Sequence, residues 1–292
     1  MTRLTLWLAF LGAVKGGRER IRDEIDSLGV GAGLNFRLGD GGWSDAHATD
    51  DNVKFWVDSF GQERVAAWQY SRPDRIDAEI LLWQKIYELG VRRFCINAES
   101  HWKIKNADLL AASYVEKMRK RFPDCEISHA PFAFRVSHGT SGVYGGKQIF
   151  AFPYRGFGDL DCAYDQLYVE EFGMTAIGAH ARYDREMSEY LKMHPEIAYQ
   201  KRSTIADLYG SDLNRVWGGH VAGQWTQNSF DRHIENAQRR GETDLDFYTI
   251  DASLAETDGT PSKPWPALQK WCRDFAAQQC RLAKNFSTET EP

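Results

Sequence analysis

Apolar positions along the chain alternate between two spacings, one typical of buried strands and one typical of amphipathic helices. The apolar run at 4–10 predicts a strand, and Ile21, Ile25 and Leu28 then recur at helical spacing before Gly29 ends the helix. The same succession returns with strands at 31–36, 63–70 and 91–99 and a helix at 77–90. The pattern therefore predicts β-α-β units in series.

The second half of the chain continues this rhythm with one interruption. Strands are predicted at 126–134, 162–171, 202–210 and 246–252, followed by a closing helix. The interruption at 139–160 is rich in glycine and aromatic residues without periodicity, which predicts a long loop insertion after the fifth strand. Eight strands alternating with helices fit a closed barrel or a doubly wound sheet, and the strand count favours the barrel.

The predicted fold class is accordingly α/β, a (β/α)8 TIM barrel in a single domain over 1–284. Such barrels often exceed 250 residues, so 292 residues require no second domain. The last residues, 285–292, carry few core-forming side chains and are expected to form a flexible tail.

The opening segment allows a second interpretation, since Arg3 followed by a short apolar run is also typical of a secretory signal. We prefer the strand, because the barrel otherwise lacks its first one. Elsewhere no run of eighteen apolar residues occurs, so we expect no membrane association. A soluble protein is predicted, with secretion and phage association both left open.

Candidate chemistry lies at the predicted carboxyl ends of the strands, where barrel enzymes place their catalytic groups. Strand side chains alternate between the two faces, so Asn97 and Glu99 share the interior face of the fourth strand. Gln166, Tyr168 and Glu170 share the corresponding face of the sixth strand. Polar groups from two strands are thus predicted to converge at the barrel mouth.

The second and eighth strands extend this convergence. Asn35 and Arg37 are expected to face the interior from the second strand. On the eighth strand we expect Thr249 and Asp251 inside, with Tyr248 facing the helices. Asn35, Arg37 and Asp251 are therefore candidate substrate-binding residues.

Two carboxyl groups across a barrel mouth suit hydrolysis of a glycosidic bond. One protonates the leaving oxygen, and the other acts as a base or nucleophile. Glu99 and Glu170 form this predicted pair, with Asn97, Gln166 and Tyr168 positioning the sugar. Their separation would distinguish retention from inversion of configuration.

The aromatic content fits a glycan ligand, because sugar rings stack on Trp and Tyr faces. The chain has ten Trp and twelve Tyr residues. Trp43, Trp68, Tyr70, Trp102 and the loop at 144–157 lie near predicted strand ends and are candidates for sugar contact.

The net charge and the sequence motifs argue against several classes of ligand. The net charge of −5 makes nucleic acid an unexpected partner. The five cysteines lack metal-ligand spacing, and the sequence contains no HExxH motif. Its closely spaced glycines precede a strand and not a helix, so they do not form a phosphate-binding turn. We therefore predict no metal and no cofactor, with a glycan as the ligand.

Three segments carry a family resemblance: 65–73 (VAAWQYSRP), 77–102 and 164–171 (YDQLYVEE). The chain resembles a glycoside-hydrolase-like barrel family of uncharacterised microbial and phage proteins, and the likeness covers most of the first 175 residues. The resemblance implies an aromatic third strand, an acidic end to the fourth strand and a Q-x-Y sixth strand. Trp68, Glu99, Gln166 and Tyr168 match these positions.

A looser similarity is to chitinase-type hydrolases, whose fourth strand ends in D-x-D-x-E and whose sixth strand carries a Tyr. Here those positions hold Cys95, Asn97 and Glu99, with Tyr168 on the sixth strand. Lysozyme-type barrels place D-x-E at the same point and an Asp on the first strand, which has none here. The resemblances imply glycan hydrolysis, whereas Cys95 and Asn97 favour the alternative of a non-catalytic carbohydrate-binding or phage or cell-surface structural barrel.

Overall fold

The structure is a closed barrel of parallel strands surrounded by helices. The computed structural model describes residues 3–9, 14, 16–39, 49–144, 147–168, 174–197, 201–207, 227–242, 244–248, 250, 254 and 264–288. Hydrogen bonds between neighbouring parallel strands close the barrel. The predicted (β/α)8 TIM barrel is confirmed.

The strands are short, and the barrel strands coincide with apolar runs of the sequence. They are β1 (Arg3–Leu8), β2 (Gly33–Gly39), β3 (Val65–Ser71), β4 (Arg93–Ala98), β5 (Glu126–His129), β6 (Gly142–Tyr144), β7 (Lys147–Ile149), β8 (Cys162–Gln166), β9 (Lys201–Asp207) and β10 (Asp244–Tyr248). The barrel closes in the order β1-β2-β3-β4-β5-β8-β9-β10 and back to β1. β6 and β7 form a separate antiparallel hairpin, so the sixth, seventh and eighth barrel strands are β8, β9 and β10.

The helices pack outside the barrel. They are α1 (Gly17–Ser27), α2 (Asp50–Phe60), α3 (Ile76–Glu88), α4 (Ala107–Arg121), α5 (Arg135–His138), α6 (Ala176–Met193), α7 (Gln227–Arg239) and α8 (Pro264–Thr288). Threonine side chains cap two of them: Thr49 accepts a hydrogen bond from Asn52 N, and Thr175 accepts one from Gly178 N.

Strand alternation separates two apolar layers, as the sequence pattern predicts. In β1, Leu4, Leu6 and Leu8 pack outward in the main core beneath the helices. Trp7, between them, points inward and packs in a second cluster with residues such as Trp68. The interpretation of the opening segment as a barrel strand is confirmed, since β1 pairs with both β10 and β2.

Charged side chains close the amino-terminal end of the barrel. Arg3 Nη2 lies 3.2 Å from Glu126 Oε1 and 2.7 Å from Asp244 Oδ2. Arg93 also pairs with Glu126, at 3.4 Å, and Tyr164 Oη donates to the same carboxylate at 3.2 Å. Because all four of these charged residues begin their strands, the network closes the amino-terminal end and leaves the carboxyl end for ligands.

The chain between β5 and β8 contains α5 and the β6–β7 hairpin. Its aromatic residues were expected near the mouth, yet Phe152, Tyr154 and Phe157 are at most 3% exposed and pack in the main core. That expectation was wrong for these three, because the segment folds back on α4. Gly156 N donates to Asp108 Oδ1 at 3.1 Å there.

The carboxyl-terminal helix continues farther than the sequence suggested. α8 runs to Thr288, past the expected start of the tail at 285. No proline or glycine interrupts 267–291, so the backbone meets no helix-breaking residue before that point. The division into a domain at 1–284 and a tail at 285–292 stays a prediction.

Candidate active site at the barrel mouth

A chain of hydrogen bonds crosses the mouth from β8 to the residue that follows β4. Gln166 Nε2 donates to Asn97 Oδ1 at 2.8 Å and to the carbonyl oxygen of Ala130 at 2.7 Å. Asn97 Nδ2 in turn donates to Glu99 Oε1 at 3.0 Å. Polar groups predicted separately on two strands therefore meet in one network.

The direction of this network follows from the donors. The Gln166 side-chain amide donates to the side-chain oxygen of Asn97, Oδ1. The NH₂ group of the Asn97 side chain therefore faces Glu99. Asn97 and Gln166 are buried, while Glu99 is partly exposed. A fixed, buried amide thus orients one carboxyl oxygen of a residue that reaches solvent.

Strand register brings Tyr70 to the same place. Tyr70 on β3 pairs with Asn97 on β4, so both side chains point into the mouth at one level. The Tyr70 hydroxyl forms a hydrogen bond with His101 Nδ1, and the two rings meet edge to face at 5.1 Å. Burial, followed by the negative charge of Glu99, raises the pKa of Tyr70 to about 12. Tyr70 therefore keeps its proton at neutral pH.

Aromatic rings from β3, from β10 and from the segment that follows β8 also line the mouth. Tyr168 stacks on Tyr248 with ring centroids 5.6 Å apart, and Tyr248 meets Trp68 edge to face at 6.0 Å. Trp68 Nε1 donates to the carbonyl oxygen of Leu8 at 3.1 Å. The two tyrosines are partly exposed, whereas Trp68 is 4% exposed. Tyr168 and Tyr248 form the accessible surface, and Trp68 supports it from below.

Arg37 and Asn35 point inward as predicted but lie at different depths. The Arg37 guanidinium lies 5.7 Å from the ring centre of Trp68 and is partly exposed. Asn35 is 1% exposed and lies one layer deeper, beside Trp7 in the register of β1 and β2. The expectation that Asn35 contacts substrate was wrong in this structure, because alternation sets the direction of a side chain and not its depth.

Trp102 was also expected at the mouth, and the structure places it elsewhere. Its side chain is fully buried, stacks on Tyr114 and donates from Nε1 to the carbonyl oxygen of Ser71 at 3.1 Å. A short 3-10 turn, Ser100–Trp102, turns it under the strand ends into the helix layer. A sugar ring has no access to it.

Tyr248 is the site residue that the sequence interpretation missed. We expected it to face the helices, but β10 directs Asp244, Asp246 and Tyr248 inward and packs Leu245 and Phe247 outward. In the sequence 244–248 (DLDFY), inward and outward positions alternate from Asp244, and this alternation assigns Tyr248 to the inward face. The expectation failed because it took the polar residues Thr249 and Asp251 as the inward set.

Several predicted residues lie outside the described part of the chain: Trp43, Glu170, Thr249 and Asp251. Their assignments stay predictions. Within the described residues, no group of three acidic, histidine or cysteine side chains is arranged to hold a metal ion. The helices described there include none with the length and apolarity needed to span a bilayer.

Comparison with known proteins supports the fold. No protein-family model and no curated protein sequence matches this chain. Solved structures match it along most of its length. The β-D-glucuronidase of Dictyoglomus thermophilum has a TM-score of 0.56 at 10% identity over 93% of this chain. The chain shares the barrel fold of glycoside hydrolases.

Two further structures give the same result. The spore cortex-lytic enzyme SleL of Bacillus megaterium has a TM-score of 0.55 at 11% identity, covering 91% of this chain and 72% of its own. The GH18 chitinase ChiB of Flavobacterium johnsoniae has a TM-score of 0.54 at 10% identity, covering 94% of each chain. This chain spans 50% of the glucuronidase. At such low identity the likeness extends to the fold alone.

Proposed function

We propose that the protein is a glycoside hydrolase that cleaves a polysaccharide or peptidoglycan-like glycan at the barrel mouth, with Glu99 as general acid. The observation that carries the proposal is the hydrogen-bonded chain from Gln166 through Asn97 to Glu99. It holds a carboxyl group at the strand ends, where barrel enzymes act.

The geometry suits proton donation. Asn97 Nδ2 donates a hydrogen bond to Glu99 Oε1, and this hydrogen bond can form whether the carboxyl group is protonated or ionised. When Glu99 is protonated, Oε2 is the oxygen that would carry the proton and donate it to the glycosidic oxygen. Loss of that proton leaves a carboxylate that the Asn97 amide stabilises.

The second carboxyl group in this proposal is Glu170, as base or nucleophile. It follows Tyr168 by two residues, and Tyr168 already faces the mouth beside Tyr248. Continued strand alternation would direct Glu170 to the same side. Cleavage with retention would require a carboxyl separation of about 5 Å, and inversion about 6.5–9.5 Å.

The tyrosine pair supports a sugar ligand. Tyr168 and Tyr248 present partly exposed, stacked rings on which a pyranose ring can lie. Arg37, beside Trp68, supplies hydrogen-bond donors at the edge of this surface. A peptidoglycan-like substrate would suit a protein that is secreted or carried by a phage.

Replacement of Glu99 tests the proposal. Glu99→Gln keeps the shape of the side chain and removes its transferable proton, so we expect glycan hydrolysis to fall by roughly 10²-fold or more. The measurement is release of reducing ends from peptidoglycan and from a set of polysaccharides. Glu116→Gln, an exposed change on α4, is the matched control and should retain full activity. Undiminished hydrolysis by a folded Glu99→Gln protein would contradict the assignment.

A second candidate function is a non-catalytic carbohydrate-binding or structural barrel. Asn97 favours it, because the chitinase-type pattern has an acidic residue where this chain has an amide. This candidate predicts glycan binding that depends on Tyr248, with no turnover of any glycan tested by wild-type protein. Cleavage that disappears in Glu99→Gln would eliminate it.

A further inference from the structure

Lys103 lies just beyond the carboxyl end of β4, at the rim of the mouth. It follows the Ser100–Trp102 turn, four residues after Glu99. Its ammonium donates to His138 Nδ1 at 3.1 Å and lies 5.5 Å from the ring centre of Phe132. No carboxylate in the described part of the chain forms an ion pair with it. Partial burial without such a partner lowers the pKa of Lys103.

His138 serves as a neutral acceptor for this ammonium. Its ring stacks on Phe132 with centroids 4.4 Å apart and planes at 14°, which fixes the direction of Nδ1. Burial, with the neighbouring charge of Lys103, lowers the pKa of His138 to about 4. At neutral pH the Lys103–His138 pair therefore carries one positive charge.

Glu186, the acidic group that acts on His138, does not cancel that charge. Glu186 faces His138 from α6, but its carboxylate accepts hydrogen bonds from Arg182 at 2.8 Å and from Ser137 at 2.7 Å. Arg182 and Glu186 form an ion pair with each other. The Lys103 ammonium retains hydrogen-bonding capacity, since it has three donors and one is used by His138.

Phe132 connects this pair to the candidate active site. Its backbone forms a parallel bridge with Gln166, whose side chain begins the network to Asn97 and Glu99. Lys103 and Glu99 also leave the same strand end, separated by one short turn. A ligand group held by Lys103 would therefore belong to a sugar bound beside Glu99.

We propose that Lys103, held by His138, binds a carboxylate substituent of the glycan, so that the substrate is a carboxylated sugar polymer. This inference rests on the proposed function. The carboxylate could be that of a hexuronic acid or that of a lactyl ether such as muramic acid carries. Either one supplies two oxygen acceptors to the ammonium and removes its uncompensated charge.

The experiment compares each carboxylated probe with a neutral analogue by calorimetric titration. One pair is trigalacturonate and its carboxyl-reduced form, and the other is the N-acetylglucosamine–N-acetylmuramic acid disaccharide and di-N-acetylchitobiose. The Glu99→Gln background prevents cleavage during the titration. We expect tighter binding of the charged member in one pair, which identifies the source of the carboxylate. Lys103→Met should reduce that preference roughly tenfold.

Matched variants complete the test. Lys105→Met removes an exposed lysine of the same loop and should keep the preference. Lys103→Arg retains the charge and should keep part of it, and His138→Phe should weaken it by removing the acceptor. Thermal unfolding of each variant verifies the fold, and Lys103→Met should be at least as stable as wild type because it removes an uncompensated charge.

Three results would overturn the inference: no preference for either carboxylated probe, a preference that Lys103→Met leaves intact, or equal losses in Lys103→Met and Lys105→Met. Failure of the proposed function has a different signature, since it is measured by hydrolysis and its dependence on Glu99. The two outcomes are therefore separable.

Discussion

Gln166 Nε2 donates to Asn97 Oδ1 at 2.8 Å across the barrel mouth, from the sixth barrel strand to the fourth. This contact decides which way the Asn97 amide faces and thereby which group meets Glu99. It joins two strands that are not hydrogen-bonded neighbours, because β5 lies between them. The orientation of the candidate acid thus depends on the adjacency of β4, β5 and β8 in the sheet.

Gln166→Glu should break the hydrogen bonds that Gln166 donates to Asn97 and Ala130. A carboxylate has a similar shape but cannot donate to Asn97 Oδ1 or to the carbonyl oxygen of Ala130. We expect a loss of about 1–3 kcal/mol in the free energy of unfolding for the broken buried hydrogen bonds. Urea denaturation at neutral pH measures it. Unchanged stability would show that the two hydrogen bonds contribute nothing to the fold.

Tyr248→Leu should weaken glycan binding with little effect on the barrel. The change removes the ring that stacks on Tyr168, and we expect an affinity loss of about 0.5–1.5 kcal/mol. Titration with the best-bound oligosaccharide measures it. Trp102→Phe is the contrasting variant: it breaks the buried bond to the carbonyl oxygen of Ser71, so it should lower stability and leave affinity unchanged. The reverse pattern would contradict our placement of these two aromatic residues.

Buried histidines predict a loss of stability in acid. Burial, then the charge of Arg240, lowers the pKa of His180 to about 4, although Asp184 opposes this and Arg239 adds to it. The unfolded chain binds a proton near pH 6.5, so stability falls as pH decreases from 6.5 towards 4 and then levels off. His180 alone should contribute on the order of 1–3 kcal/mol to that fall.

His180→Gln tests this assignment, because glutamine can still accept from Arg240 and cannot titrate. Urea denaturation at pH 7.5 and at pH 4.5 should show a smaller difference in the variant than in wild type. If the two proteins lose equal stability between these pH values, His180 is not a source of the acid sensitivity.

Gly156→Ala should destabilise the packing of the β5–β8 segment on α4. An added methyl group would lie 2.4 Å from the carbonyl oxygen of Asp108 and 2.6 Å from Ala111 Cβ. We expect a loss of about 1–3 kcal/mol from this overpacking. Gly142→Ala, whose added carbon meets no atom within 4 Å, is the control for thermal unfolding. Equal melting temperatures for the two variants would refute the close approach.

The sequence by itself determined the barrel and the direction of most inward side chains. Alternation along β4 and β8 was sufficient to place Asn97 and Gln166 on the interior face, since a strand directs successive side chains to opposite sides. The eight apolar runs determined the number of barrel strands for the same reason. These are local properties of a strand buried on both faces.

Tertiary structure decided depth, accessibility and contacts between distant loops. Asn35 and Trp102 have the residue types expected of a glycan site, but packing buries one inside the barrel and the other beneath the helices. Lys103 meets His138 only because the segment after β4 and the helix after β5 fold against each other. Such contacts join residues that are distant in sequence, so neither local alternation nor composition predicts them.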